Sequence, residues 1–474
     1  MSTDVMPSVS ATSRTAVTEQ ASRLSAVREA LPLLLRRRGA LADLLPVIAF
    51  AVSTAITLTV LGGLGAFIGR LPDSGAALDE LSDEQSVAGF LVMCAVIATV
   101  LLVPSAVGLG GSAARLSLAR REKDLASLRL VGGTSAQVGS VAVLDVVVQC
   151  MLGSVIGLVA HLLLALPLTG LDFGITAFTV AELLLPWWSY PLLIGGLVLL
   201  AAISAGIALS GVVLSPLGVA RDARVVRMSV LRLVLLAVLA IAFVALSQVG
   251  SLFASEEGGA MMVMAFMIVL LGAMVAAVNV AGPFLVWVTA KIVARLARSA
   301  AVLVGARRLA ADPRAGWRAV AGVTFAMIIA GFLSVLATLN EPSSAEDVML
   351  ITALRTGGML TLVIAAVLAA VATGVPQTAR VIDQAPVLRA QYVAGAQVPQ
   401  LHRARLAEIM IPLLMSSVLA FGMVALVLAS VMSTALSQPG ALIQYVLGIV
   451  AAYAMVLGSI LVAAPLVRRG ALQG

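Results

Sequence analysis

The residues of this sequence able to do chemistry are few enough to weigh one by one. The densest group is REKDLASLRLVGG, where Arg121, Glu122, Lys123, Asp124 and Arg129 crowd together ahead of Gly132 and Gly133. Arginine, glutamate and leucine in that mixture break no bonds; they make ion pairs and apolar contacts, which is docking chemistry. Leu118, Leu125 and Leu128 recur at near-helical spacing with charges between them, the pattern of a helix with one apolar edge. A solvated basic loop would explain the charges alone. The leucines favour a partner that covers them.

The other candidates exclude more than they suggest. ATP hydrolysis through a P-loop needs a lysine between glycine and Ser/Thr. The only lysines, Lys123 in REKDL and Lys291 in TAKIV, fit no such loop. Cys94 and Cys150 both lie inside apolar runs and read as small packing residues. His161 and His402 are the only histidines, so no metal cluster is expected. No Ser/His/Asp set with a soluble pocket is visible, so no catalytic residue is assigned. Asp145 and Glu408 are acids about one turn inside apolar runs, suited to an ion pair near the interface or to a functional role. His161 lies deep in its run. A neutral ring bonded to a neighbouring helix is favoured over a proton relay. Gln149 and Asn279 are expected to bond between helices, and Pro104 to kink its helix. PWWSYP (Pro186–Pro191) is expected to anchor at a membrane surface.

These residues are embedded in a chain of 474 residues that is 61% hydrophobic and only 11% charged. Soluble domains carry about 25% charged residues, so the chain reads as an all-α polytopic membrane protein. Its apolar runs are continuous rather than alternating, which excludes a barrel. Ten spans are expected, near 45–69, 87–111, 141–166, 189–213, 231–251, 261–289, 319–339, 357–375, 407–433 and 442–466. With that count every basic residue except Arg70 and Arg355 falls on one side, while the opposite loops are acidic. Basic residues in short loops mark the cytoplasm, so both termini are expected there. The net charge of +7 is then a topology signal toward anionic inner-leaflet lipid, and no nucleic-acid partner is implied. The polar first 30 residues show no signal-peptide core; the tail is expected to be disordered to about Ser22.

The glycine-broken segment has an echo. Val131–Asp145 lies over Ala394–Glu408 without gaps, Gly132 on Gly395, Asp145 on Glu408 and Leu125 on Leu388. At that offset Gly153 and Gly157 meet Ser416 and Ala420, a small-xxx-small pattern that allows close helix approach. Spans 1–4 then correspond to spans 7–10, with spans 5–6 inserted. An even number of intervening spans makes the repeat parallel. The domains expected are a cytoplasmic tail and basic entry segment (1–43), a four-span repeat (44–214), a two-span linker (215–318) and a second four-span repeat (319–474). After Leu130, Gly132 and Gly133 stop the helix, and Thr134 or Ser135 caps the next. Span 2 is thus expected to continue as a stalk, turn, and return as span 3.

REKDLASLRLVGG, followed by an acid thirteen residues after its first glycine, resembles the FtsX-like permease domain of MacB-type ABC transporters. Arg121, Glu122, Leu125, Leu128, Arg129 and Gly132 fit the family's shape, and Asp145 stands where Glu is usual. LLLRRRGALADLLPVIAF and ARRLAADPRAGWRAVAGV resemble its basic entry segments. Ten spans arranged as four, two and four resemble the BceB-like branch, associated with peptide-antibiotic resistance. The second copy, ARVIDQAPVLRAQYVAGAQ, lacks the Arg-Glu pair and has Tyr392 in the place of Arg129; Leu388, Arg389 and Gly395 are its matching positions. The outer loops Arg70–Ser86 and Asn340–Thr356 are too short to fold as the large outer domain common in the family.

The resemblance implies a permease subunit of the bacterial plasma membrane, not itself an enzyme. It binds no cofactor; ATP and Mg belong to a soluble P-loop ABC ATPase, two copies per permease chain. ATPase closure would push the stalks and export or extract a hydrophobic or amphipathic substrate such as a lipid, peptide or antibiotic, with membrane lipid as the other partner. The alternatives are an ATPase-driven mechanotransmitting protein that transports nothing, and an ion-coupled secondary transporter.

Overall fold

The computed structural model describes residues 41–71, 83–130, 134–213, 230–253, 259–336, 345–383 and 397–431, with a few isolated positions at 390–395 and 446–458. The N-terminal tail, most of the expected span 442–466, and Gly132, Leu388 and Arg389 lie outside the described residues. The described residues are all helical where they are regular, with no strand among them. The helices are α1 (Leu41–Ile68), α2 (Asp83–Leu130), α3 (Ser135–Leu168), α4 (Val180–Leu183), α5 (Ser189–Val213), α6 (Leu231–Phe253), α7 (Gly259–Leu296), α8 (Ala300–Ala311), α9 (Pro313–Leu336), α10 (Ala345–Asp383) and α11 (Val398–Val431).

Seven helices are long and apolar enough to cross a membrane: Leu44–Ile68, Val87–Leu118, Gln137–Leu168, Ser189–Leu209, Gly272–Leu296, Val348–Ala379 and Pro399–Leu426. They coincide with seven of the ten expected spans. The expected fifth span contains a shorter apolar helix, Leu231–Leu246, and the seventh lies on α9. Side chains such as Val155, Ile156 and Leu163 on α3, Leu192 and Ile207 on α5, and Ile241 on α6 are exposed. Bare apolar faces on that scale suit a hydrocarbon solvent, where only the backbone must satisfy itself and helices do so.

Two bundles share one seam. In the first, α1 packs on α2 and α3, and α5 closes against α2 and α3. The α1–α3 contact is close because Gly153 and Gly157 lie on it. A Cβ at Gly157 would fall 2.5 Å from the Ala51 carbonyl oxygen, and one at Gly153 would fall 2.5 Å from Phe50 Cβ. Ser53 Oγ donates to the Ala106 carbonyl at 2.6 Å, and Thr54 and Ser154 hydroxyls share a bond of 3.2 Å, tying α1 to both neighbours. In the second bundle α9 packs on α10 and α11, while α6, α7 and α8 cover the far side. Trp317 Nε1 donates to Asn279 Oδ1 at 3.1 Å between α9 and α7, and Ser417 bonds Tyr453 at 2.8 Å. Helix α10 belongs to both bundles. Ala369 packs into the second core, while Leu368 and Val375 pack into the first.

Three local expectations change. The span read as 357–375 is only the middle of α10, which runs from Ala345 to Asp383. Glu346, Asp347 and Arg355 interrupt the apolar run without interrupting the helix, since charged straight-chain residues are good helix formers. Arg355, expected in an outer loop, is therefore helical. The basic stretch before α9 contains α8, whose Gly305, Ala306 and Leu309 are buried against α7 and α11. The loop after α3 is a folded cap, described below.

Candidate functional site

Helix α2 is one unbroken run of 48 residues. At 1.5 Å per residue it is about 72 Å long, more than twice a bilayer core of about 30 Å. Its apolar part reaches Leu118, and REKDLASLRL (Arg121–Leu130) continues the same helix. Arg121, Glu122, Leu125, Leu128 and Arg129 are therefore on a rigid extension of a membrane span; their side-chain positions lie outside the described residues. The chain turns and α3 begins with a capping box. Thr134 Oγ1 accepts from the Gln137 N–H at 3.3 Å, and Gln137 Oε1 accepts from the Thr134 N–H at 3.0 Å. That arrangement satisfies two otherwise orphaned donors and sets the angle at which the chain re-enters.

Before α11 a second turn has related chemistry. Gly395 has φ +98, a conformation that only glycine adopts cheaply, and its N–H donates to the Tyr392 carbonyl at 3.0 Å. Two residues on, Gln400 Oε1 accepts from the Gln397 N–H at 3.2 Å. This is the Gln137 contact again, at the offset that lays Gly132 on Gly395.

The intramembrane polar residues are spread out. Asp145 is buried at 2% exposure on α3, where Gln149 Nε2 donates to its Oδ2 at 2.7 Å. Gln149 thus bonds one turn back along its own helix, not across to another as its position suggested. Glu408 is half-buried at the start of α11, away from Asp145 in the other bundle. His161 is also 2% exposed and bridges three elements. Its Nδ1 lies 3.1 Å from Thr59 Oγ1 on α1, its Nε2 lies 3.3 Å from Tyr190 Oη on α5, and Tyr190 Oη accepts from the Leu185 N–H at 3.2 Å. The ring thereby fastens α1 and α3 to the segment joining them to α5.

That segment, residues 169–188, is the cap. Phe67, Phe173 and Phe178 meet edge to face, with centroids 5.1 to 5.7 Å apart. Arg70 at the end of α1 lies over Phe178, its Cζ 3.9 Å from the ring centroid. Its guanidinium makes a fork on Glu182, Nε to Oε1 and Nη2 to Oε2 both at 3.1 Å, and also donates to the Thr176 and Ala177 carbonyls. Paired bonds of this kind are among the strongest polar contacts available. Glu182 closes a capping box with Thr179. The Arg70 hydrogen bond, and after it the Thr179 N–H, pull its carboxyl from an ordinary 4.5 down to about 2. The cap also grips α10. Thr356 Oγ1 donates to the Asp172 carbonyl at 2.5 Å, and Gly174, at φ +73, lies so close to Met349 that a Cβ would fall 2.5 Å from its carbonyl oxygen.

Beneath the cap, between α1, α2, α3 and α10, is an apolar cavity of about 150 Å³. Phe67, Leu91, Cys94, His161, Ala353 and Ile364 are among its walls. Further along the same α2–α10 seam, toward the stalk, lies a second cavity of about 310 Å³. Arg115, Arg318, Asn279 and Gln377 are among its walls. Leu102 and Ala365, 3% and 1% exposed, pack together between the two. Pro104 lies on α2 just past this constriction. Neither cavity was foreseen, because each is made by α2 meeting a helix more than 200 positions later in the chain. Among the described residues no group of His, Cys, Asp and Glu is placed to hold a metal.

Residues 88–216 match a family described as FtsX-like permease C-terminal. The matched segment runs from the first turns of α2 to the end of α5 and covers well under half of the chain. It carries the stalk, the capped turn, the outer cap and one wall of both cavities. On it the protein is placed in the FtsX-like permease family, whose members are membrane subunits of ABC transporters. No curated protein and no solved structure matches the chain.

Proposed function

We propose that the protein is the permease of an ABC transporter in which a separate P-loop ATPase drives an amphipathic substrate along the α2–α10 seam. The observation that carries this reading is the continuity of α2. One helix lines both cavities and the constriction between them, and then runs without a break into REKDLASLRL. A push on Leu125 or Leu128 is thereby transmitted to the seam as motion of a rigid rod, with Pro104 at the constriction as the weak point. Helix α10 carries Pro376 near its own stalk end. ATP and Mg belong to the partner.

The finer architecture follows the same logic. Support for two parallel four-span repeats comes from the matching Gln137 and Gln400 contacts and from the small residues Ser416 and Ala420, both fully buried on α11 where α3 has Gly153 and Gly157. Two stalk turns would seat two ATPase copies, as in MacB-type and BceB-like transporters. The first turn carries the Arg-Glu pair and the second does not, so Arg121, Glu122, Leu125, Leu128 and Arg129 would take most of the force. The basic loops orient this end, and both termini, toward the cytoplasm of a bacterial inner membrane.

The test is co-purification with the P-loop ATPase expressed beside it, followed by hydrolysis in liposomes. Stimulation of vanadate-sensitive hydrolysis by lipid or peptide supports transport. Hydrolysis that pairs with the permease but answers to no substrate supports mechanotransmission instead. Failure to associate removes the coupling reading.

A further inference from the structure

The larger, stalk-end cavity has a chemistry of its own. Two guanidiniums line it, Arg115 from α2 of the first bundle and Arg318 from α9 of the second, and both residues are exposed. Ser105, Ser112, Asn279 and Gln377 add hydroxyl and amide groups, and among the described residues that line it there is no carboxylate. The polarity changes with depth. Arg115 lies near the end of the apolar span Val87–Leu118, and Arg318 immediately precedes the apolar run of α9. Six residues deeper on α2 is Leu109, about 9 Å along the axis, and seven deeper on α9 is Phe325, about 10 Å. Leu368 of α10 faces the same space. A soluble anion would use only the basic end of such a site. An amphiphile with an anionic head and a hydrocarbon tail would use all of it.

We infer that this cavity binds an anionic phospholipid, its phosphate held by Arg115 and Arg318 and its acyl chain lying along the seam toward Phe325 and Leu368. Guanidinium is suited to the task because its fixed fork of donors matches two oxygens of one phosphate. Because the two arginines come from different bundles, a phosphate between them also bridges the two halves across the seam. Arg115 additionally lines a smaller cavity of about 200 Å³ among α1, α2 and α5, so Arg318 is the residue particular to this site. The inference deepens the transport reading above by naming the substrate class, and it rests on the seam being the substrate path.

The experiment uses the full-length permease without any ATPase. Purified protein is equilibrated with equal amounts of dioleoyl phosphatidic acid and dioleoyl phosphatidylcholine, and bound lipid is counted by native mass spectrometry. The wild type should retain the phosphatidic acid by roughly tenfold or more, as expected for loss of one good charge-assisted contact in the neutral-headed competitor. The pair Arg115→Gln with Arg318→Gln should erase the preference, and Arg115→Lys with Arg318→Lys should keep part of it. Ser112→Asp, which places a carboxylate in the cavity one turn from Arg115, should erase it too and serves if the glutamine pair does not fold. A wild type without preference, or a preference untouched by the glutamine pair and by Ser112→Asp, overturns the proposal. Displacement by inorganic phosphate at equal concentration also overturns it, since the site would then be one for free anions. Loss of lipid selectivity with ATPase pairing intact removes this site alone; selectivity without ATPase pairing removes the coupling reading alone.

Discussion

The two cavities on the α2–α10 seam are built from the same helices and differ in almost everything else. The one under the cap is walled by Leu, Phe and Ala, and its notable polar side chain, His161, has both ring nitrogens engaged by Thr59 and Tyr190. The one at the stalk end is larger and presents two arginines and several hydroxyl and amide groups. The first is roofed by a folded segment that grips α10 from above; the second ends where α2 leaves the apolar layer. A polar head is thus served at one end of the seam and a hydrocarbon at the other, with the Leu102–Ala365 contact keeping the two apart. That asymmetry favours directed movement of an amphipathic molecule over a uniform pore.

The comparison can be broken most severely at the floor on which both cavities rest. Gly157→Leu forces a branched side chain into the Ala51 backbone, which should cost more than about 3 kcal/mol and prevent recovery of monodisperse protein. Recovery of a normally folded variant, seen by size-exclusion chromatography and thermal unfolding, would show that α1 and α3 are less tightly docked than described. Next in size is Leu125→Asp on the stalk. It should leave folding and phosphatidic acid retention unchanged while lowering stimulated ATP hydrolysis at least about tenfold, the equivalent of roughly 1.4 kcal/mol. Intact association and hydrolysis in that variant would detach the stalk from the seam.

Much of this layout was legible in the sequence. The alternation of basic and acidic loops, the long apolar runs and the glycine pair gave the stalk and its turn. Thr134 was identifiable as a cap because a hydroxyl follows the glycines and a glutamine stands three residues later. The cap was also partly readable, since Thr179 and Glu182 have the same capping-box spacing, yet nothing local paired Glu182 with Arg70, 112 positions away. Helix α8 escaped notice because its apolar edge, Gly305, Ala306 and Leu309, is short and interleaved with Arg307 and Arg308. Gln149 found an intrahelical partner because Asp145 stands one turn before it, a geometry that precedes any contact with another helix. The cavities were invisible because they depend on which distant helix meets α2.

Smaller effects sharpen the contrast at the capped end. The chain has two cysteines, and Cys94 lines the capped cavity while Cys150 is buried elsewhere. In a Cys150→Ala background, Cys94 reports on the roof through its rate of reaction with a water-soluble thiol reagent. Arg70→Ala removes the fork on Glu182 and the bonds to two carbonyls, and should raise that rate several-fold at a cost of about 1–3 kcal/mol. Gly174→Ala should act in the same direction by lifting the cap from Met349. An unchanged rate in both would mean that the cap does not seal the cavity.

The smallest effect is on pH dependence. The folded carboxyl of Glu182 titrates at about 2 in place of 4.5, so its stabilising contribution is present above pH 4.5 and fades as pH falls toward 2. Its side chain is about a third exposed, which limits the contribution to about 1 kcal/mol or less. The melting temperature of wild type should exceed that of Glu182→Gln at pH 6, and the gap should close on acidification through that window. A gap that widens instead would reverse the assigned sign.

The central claim is that substrate passes the Leu102–Ala365 constriction. It is tested most directly by placing cysteines at both positions in a Cys94→Ala, Cys150→Ala background and bridging them with a short, cleavable thiol crosslinker. The readout is movement of a fluorescent phosphatidic acid between leaflets of proteoliposomes that contain the permease and its ATPase. The account predicts that bridging abolishes movement, that cleavage restores it, and that the ATPase remains bound throughout. Undiminished movement in fully bridged protein would contradict it.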